Sequence, residues 1–331
     1  MQLRKNVIRY IIFTGLFIIL SHFSFGQKQQ KLITSNLLLE GQVYYGFLIP
    51  HHIEMEIFNG HFPSFELSLV HKTFGKARWE YMYNYPLVGI AYWYSPLSNT
   101  PYLGNAHAVF PYINFPLNKS NKIKLFLRVG LGLGYLTKKF HRLDNYKNIS
   151  IGSNFNAAVN FLFQVRQRLG DRFVASFSLA FTHFSNGSMK SPNYGLNMPG
   201  ISAGIAYRLA KENPYYKKKL LPDLSPFYFD GKKSVDLDIE AGFGYKDMIA
   251  EIGGRYLVFA ASANIMKPIS FKTKYGACID FSYDGTDEPL ITEDKGEDYL
   301  KSNAQLIQIG LGGVFELNMS KISFIGTLGL Y

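Results

Sequence analysis

Three side chains have the types and spacing of a hydrolytic site. Phe181-Thr182-His183-Phe184-Ser185-Asn186-Gly187 closes a segment in which Phe173, Ala175, Phe177, Leu179 and Phe181 alternate with smaller or polar residues. A period of two is the mark of a strand with two unlike faces. Continued, it puts His183 and Ser185 on the apolar face, about 7 Å apart along the strand. Side chains so placed can reach one another, and a neutral imidazole can then act as general base on a hydroxyl. In the next segment Ile201, Ala203, Ile205, Tyr207 and Leu209 share their parity with Asn197. A hairpin joining the two segments would bring Asn197 beside His183, where an amide carbonyl can orient the ring, as in Cys-His-Asn enzymes. Pro199-Gly200 is a pair that can introduce a bulge and move Asn197 off that face.

The triplet alone has little specificity, since His22-Phe23-Ser24 repeats it near the N-terminus. Its weight comes from the elements that must position it. The same alternation runs along most of the chain. Ile123, Leu125, Leu127, Val129, Leu131, Leu133 and Tyr135 oppose Lys124, Phe126, Arg128 and three glycines. Phe155 to Val165 opposes Asn156, Asn160, Gln164 and Arg166, and Val235 to Phe243 opposes Asp236, Asp238 and Glu240. Segments of about ten residues exceed the usual five or six of soluble sheets. No run of about 18 apolar residues follows the N-terminal segment, so spanning helices are not expected. The pattern predicts an all-β fold, an antiparallel transmembrane β-barrel of about 12–14 strands, with thirteen candidates between residues 36 and 331. Thirteen is odd, whereas single-chain bacterial barrels have even numbers. Either a further strand lies in 211–233 or the last strand is missing. Residues 138–154 and 284–303 are long and polar, as extracellular loops should be.

Arg4, Lys5 and Arg9 precede an apolar stretch from Tyr10 to Leu20, and Ser24-Phe25-Gly26 offers small residues at −3 and −1. This is the pattern of a secretory signal peptide over 1–26, leaving 27–331 as one outer-membrane barrel domain. Losing the three cations takes the formal charge from +11 to +8, which suits anionic headgroups or phosphates. Cys278 is the single cysteine, so no disulfide framework exists. The 28 Phe and 23 Tyr suit the aromatic girdles of a barrel.

The run His183-Phe184-Ser185-Asn186-Gly187-Ser188-Met189-Lys190-Ser191-Pro192-Asn193-Tyr194-Gly195 resembles the motif of the PagL-type lipid A 3-O-deacylases, outer-membrane barrels that cleave an acyl ester of lipid A. The resemblance implies Ser185 as nucleophile and His183 as base. It also implies Asn186 and Gly187 as contributors to an oxyanion hole, with Asn193 in support. It covers about 15 residues closely and weakens after about residue 210. That family places a Glu where this chain has Asn197, and replacing a triad carboxylate with an amide costs a serine protease about 10⁴ in rate. Outer-membrane phospholipase A is similar at a shorter motif, His-x-Ser-Asn-Gly with an Asn twelve residues after the Ser, which here is Asn197. That enzyme uses calcium and lacks the Lys190-x-Pro192-Asn193-x-Gly195 run.

The expected function is therefore an outer-membrane esterase acting on lipid A or lipopolysaccharide with no cofactor. The alternatives are a calcium-dependent phospholipase acting on outer-leaflet phospholipid, and a porin-like barrel without catalysis. Remaining motifs carry less. Gly130-x-Gly132-x-Gly134 precedes no helix pattern, so it reads as small lumen residues rather than a dinucleotide loop. His51-His52 with Glu54 and Glu56 could hold a metal, though a solvated loop is the simpler reading. Nothing points to nucleic acid, and the oligomeric state is not legible.

Overall fold

The computed structural model describes residues 36–75, 77–119, 123–210, 235–248, 253–296, 299–300, 302–319 and 322–330. The leader segment and the stretch 211–233 lie outside them. Among the described residues thirteen strands lie where alternation placed them. They are β1 (Leu37–Phe47), β2 (His61–Lys72), β3 (Leu87–Pro96), β4 (Asn105–Pro116), β5 (Ile123–Leu136), β6 (Phe155–Leu169), β7 (Phe173–Ser185), β8 (Leu196–Arg208), β9 (Asp236–Asp247), β10 (Arg255–Pro268), β11 (Thr273–Asp284), β12 (Ile307–Asn318) and β13 (Ser323–Leu330).

The expected barrel of 12–14 strands over 27–331 is corrected in one respect. β1 to β8 pair in sequence and close on themselves, and β9 to β13 form a separate open sheet in the order 13-12-11-10-9. Closure is made by β1 pairing antiparallel with β8, from Leu38 opposite Arg208 to Gly46 opposite Gly200. Alternation reports which face a side chain takes, not which strand meets the first. The odd total is thereby resolved: eight strands close, and an open sheet can hold five.

The barrel turns its polar residues inward. Glu66 receives Arg128 Nη1 at 2.7 Å, Tyr44 Oη at 2.6 Å and Ser68 Oγ at 2.6 Å. Arg166 Nη1 donates to both oxygens of Glu40 at 2.8 and 2.9 Å. Arg128 also lies 3.9 Å from the centroid of the Tyr112 ring. These charges are fully or almost fully buried. Charges at such depth must be paired and hydrogen-bonded, because an unpartnered one costs several kcal/mol. Gly130 and Gly134 sit on this inner face, and the Phe184 ring occupies the space a side chain at Gly134 would need. That agrees with their reading as lumen residues.

The outer face is a belt of exposed apolar side chains, with Leu131 62 %, Leu179 59 % and Leu67 55 % exposed. So continuous an apolar surface suits hydrocarbon rather than water. Every strand in the wall has two partners, which satisfies the backbone where no water can. Rings cluster at one rim: Tyr45 stacks on His61, while Tyr94 and His107, and Tyr135 and Phe155, meet at a tilt, with centroids 5.6, 5.1 and 5.2 Å apart. At this rim lie the connections β1–β2, β3–β4, β5–β6 and β7–β8. The opposite rim has the β2–β3 connection, with a short helix over Arg78–Met82, and the tight β6–β7 turn through Gly170 at φ +65°. Long loops above an aromatic girdle mark the extracellular side.

The sheet β9–β13 shows the same alternation without closure. Asp236, Asp238 and Glu240 share one face with Ser262 and Asp280, while Leu237, Ile239 and Phe243 lie exposed on the other. An open cavity of about 600 Å³ lies on the polar side. Residues 284–303, expected as a loop, include a helix over Asp287–Lys295.

Candidate active site

β7 delivers His183 and Ser185 to the outer face. Thr182 and Phe184 point inward and are buried, so their neighbours must point out. Phe184 is fully buried, its ring centroid 5.8 Å from that of Trp93, and this anchors the strand between the two site residues. β7 pairs with β8 without interruption from Phe173–Tyr207 to Phe184–Leu196, so no bulge occurs at Pro199-Gly200. His183 lies directly opposite Asn197, as parity predicted. On the other side, β6 sets Ala157 opposite Ser185 and Val159 opposite His183. The site therefore sits in the apolar wall at the level of the aromatic girdle.

His183 Nδ1 and Asn197 Oδ1 are 2.7 Å apart. A carbonyl oxygen can only accept, so this contact is a hydrogen bond in the tautomer that carries its proton on Nδ1 and leaves the Nε2 lone pair as a base. Asn197 Nδ2 lies 3.2 Å from His51 Nδ1. No carboxylate hydrogen-bonds to His183 among the described residues. Gly195 has φ +77°, and a Cβ there would lie 3.1 Å from His183 Cε1. Glycine is needed both for that backbone and for the space beside the imidazole.

Ser185 Oγ accepts from Gly187 N at 3.1 Å and from Asn193 Nδ2 at 3.0 Å. Among the described residues it has no hydrogen bond to His183. Asn193 is held in turn, its Oδ1 accepting from Asn186 N at 3.0 Å. Asn186 turns its own amide away, donating to Ser153 Oγ at 2.8 Å and to the Lys190 carbonyl at 2.9 Å. Of the two residues expected to build an oxyanion hole, Gly187 thus aims its N–H at the nucleophile. Asn186 has its N–H occupied and serves as a brace. Asn193, expected only in support, presents the second donor.

The β7–β8 loop is hydrogen-bonded to two neighbours. The β5–β6 loop lies against it through Gly195 N to the Ser150 carbonyl at 2.9 Å. The end of β9 ties it by Asp247 N to the Ser188 carbonyl at 3.0 Å and Ser191 Oγ to the Asp247 carbonyl at 2.8 Å.

His51 and His52 do not sit in a free loop. Ile49 N donates to the Asn197 carbonyl at 2.9 Å, and His52 stacks on Tyr194 with centroids 4.2 Å apart. Among the described residues no group of three or more His, Cys, Asp or Glu could hold a metal ion. The place of His51 in the site was missed from the sequence, because the β1–β2 connection has no periodicity that registers it against β8.

The closed eight-stranded wall, its apolar belt and its girdle define an outer-membrane β-barrel protein. Two family models match: lipid A 3-O-deacylase (PagL) over residues 64–206, and the acyloxyacyl hydrolase C-terminal domain over 235–331. The first match spans β2 to β8 of the barrel and the second spans the open sheet, so both regions are similar to lipid A 3-O-deacylases of the PagL type. Among solved structures it is similar to Neisserial surface protein A, at 11 % identity over 52 % of this chain and 96 % of that one, with TM-score 0.36. It is similar to the outer membrane enzyme PagL at 16 % identity over 50 % and 97 % of the two chains, with TM-score 0.34. None of the curated proteins matches.

Proposed function

We propose that this protein is an outer-membrane esterase that cleaves an acyl ester of lipid A, using His183, Ser185 and Asn197 on the outer face of its barrel. The observation that carries the reading is the 2.7 Å contact between His183 Nδ1 and Asn197 Oδ1, on the lipid-facing side of the strand that presents Ser185. A lumen-facing pair would need substrate to enter a filled barrel. A wall-facing pair meets lipids that diffuse in the outer leaflet.

The Ser185 hydroxyl rotates from its present donors toward His183 Nε2, the kind of contact that often tightens only with substrate bound. Oγ attacks the acyl carbonyl and its proton passes to Nε2. The oxyanion that forms lies next to Gly187 N–H and Asn193 Nδ2, which stabilise it as fixed dipoles. Collapse breaks the bond to the sugar oxygen, which leaves with the proton from His183. Water, deprotonated by the same imidazole, then releases the fatty acid from Ser185.

Asn197 favours the second reading, a phospholipase with the same site, because the phospholipase motif also has an amide there. Mass spectrometry of lipid A and phospholipids from cells expressing the wild type or Ser185→Ala separates the readings. The deacylase predicts lipid A lighter by one acyl chain in the wild type alone, unchanged by chelation of calcium. Intact lipid A with altered, calcium-dependent phospholipid turnover would favour the phospholipase. No change in either lipid would leave a barrel without catalysis.

A further inference from the structure

An asparagine that orients a catalytic imidazole has a weakness a carboxylate lacks. Both ends of a carboxylate accept hydrogen bonds, but an amide has one accepting and one donating end of nearly the same shape. With its oxygen toward His183, Asn197 places the proton on Nδ1 and leaves Nε2 free as a base. Turned by 180°, its N–H would donate to Nδ1 and drive the proton to Nε2, so that Ser185 would face a ring N–H. A triad in the wrong tautomer loses most of its rate. Something at the far end of Asn197 must choose the orientation.

Among the described residues, the partner of Asn197 Nδ2 is His51 Nδ1, 3.2 Å away. We propose that His51 is a positioning residue: its Nδ1 lone pair accepts from the Asn197 amide, fixes the carbonyl toward His183, and so sets the tautomer of the base. His51 is exposed, so its Nε2–H can donate to water, and in that tautomer Nδ1 carries the lone pair that accepts. The loop that carries it is anchored on both sides. Leu48, Met55 and Phe58 are fully buried, and Ile49 N donates to the backbone carbonyl of Asn197 itself. His51 is therefore held against β8 by the same residue whose side chain it orients. The arrangement gives an amide the selectivity that a carboxylate has by symmetry.

The inference rests on the esterase reading for its consequence, but the tautomer can be read without turnover. The purified full chain, folded in detergent micelles and labelled with ¹⁵N-histidine, reports which His183 nitrogen bears the proton in long-range ¹H–¹⁵N spectra. The wild type should show the proton on Nδ1. His51→Ala should give a mixture or the Nε2 form, and His51→Gln, whose carbonyl can accept the same bond, should return it to Nδ1. An unchanged tautomer in His51→Ala overturns the proposal.

A kinetic cycle on an acyl-ester substrate adds a second arm. His51→Ala should lower kcat on the order of tenfold with Asn197 present and less than about twofold beside Asn197→Asp, where no amide needs orienting. An equal loss in both backgrounds would mean that His51 only supports the loop, which also overturns the proposal. If the tautomers behave as expected but no ester is cleaved, the esterase reading fails and the positioning role stands.

Discussion

The barrel and the C-terminal sheet are built from the same kind of strand and end in opposite conditions. Both alternate apolar and polar residues, and both match models of one enzyme family. In the barrel, closure turns the polar face into an interior. Glu66 and Arg128 there are wholly buried and bonded to each other. In the sheet the polar face stays open. Its Lys246–Asp284 pair is 2.7 Å long with side chains 38 % and 31 % exposed. Closure, more than composition, decides how much a charge pair matters. The sheet's visible link to chemistry is indirect, through the hydrogen bonds of Asp247 to Ser188 and Ser191 in the site loop.

The largest effect that tests this contrast is on activity. Ser185→Ala should lower ester hydrolysis by at least about 10³-fold while the barrel still folds. Glu240→Gln and Asp280→Asn on the open sheet should leave kcat within about twofold. A loss from either sheet variant comparable to that from Ser185→Ala would place chemistry on the wrong region.

Stability comes next. Arg128→Met leaves Glu66 buried without its cation, and breaking such a pair costs about 3–5 kcal/mol. A urea titration of the refolded protein in micelles should show that loss, and adding Glu66→Gln should restore much of it. A smaller effect is expected at Asn197. Asn197→Ala removes one hydrogen bond to a ring that acquires charge, so kcat should fall roughly 10- to 100-fold with little change in KM.

How far these features were legible in the sequence follows the same division. All thirteen strands and the outward placement of His183, Ser185 and Asn197 followed from parity, a local property that each strand carries on its own. The strand at which the sheet closes did not, because pairing of β1 with β8 joins residues as far apart as Leu38 and Arg208 and no local pattern encodes it. At the site the same limit recurs. Asn197 was legible because a hairpin links it to His183 in register. His51 was not, because its approach depends on how the β1–β2 loop packs. The roles of Asn186 and Asn193 turned on side-chain direction in an irregular loop, where neither residue has a parity to follow.

The smallest effect lies in the open sheet. Burial pushes the Asp284 carboxyl upward, but the Lys246 ammonium and the Thr286 hydroxyl and amide outweigh it and hold the group below its ordinary value. A carboxyl held low in the folded state stabilises above its unfolded pKa of about 3.9 and loses that contribution as pH falls through the lower folded value. Lys246→Ala should therefore cost no more than about 1 kcal/mol at neutral pH, since the pair is partly solvated. The difference from wild type should close as the pH is taken below about 3.9. A cost as large as that of Arg128→Met would erase the distinction between the closed and open regions.

The central claim, that an activated serine stands on the outer wall of the barrel, is tested most directly by covalent labelling. The folded wild-type protein in micelles is treated with a fluorophosphonate, digested, and the adduct located by mass spectrometry. The account predicts one adduct, on Ser185, which disappears in His183→Ala. A folded wild type that takes up no label, or an adduct at another residue, would contradict it.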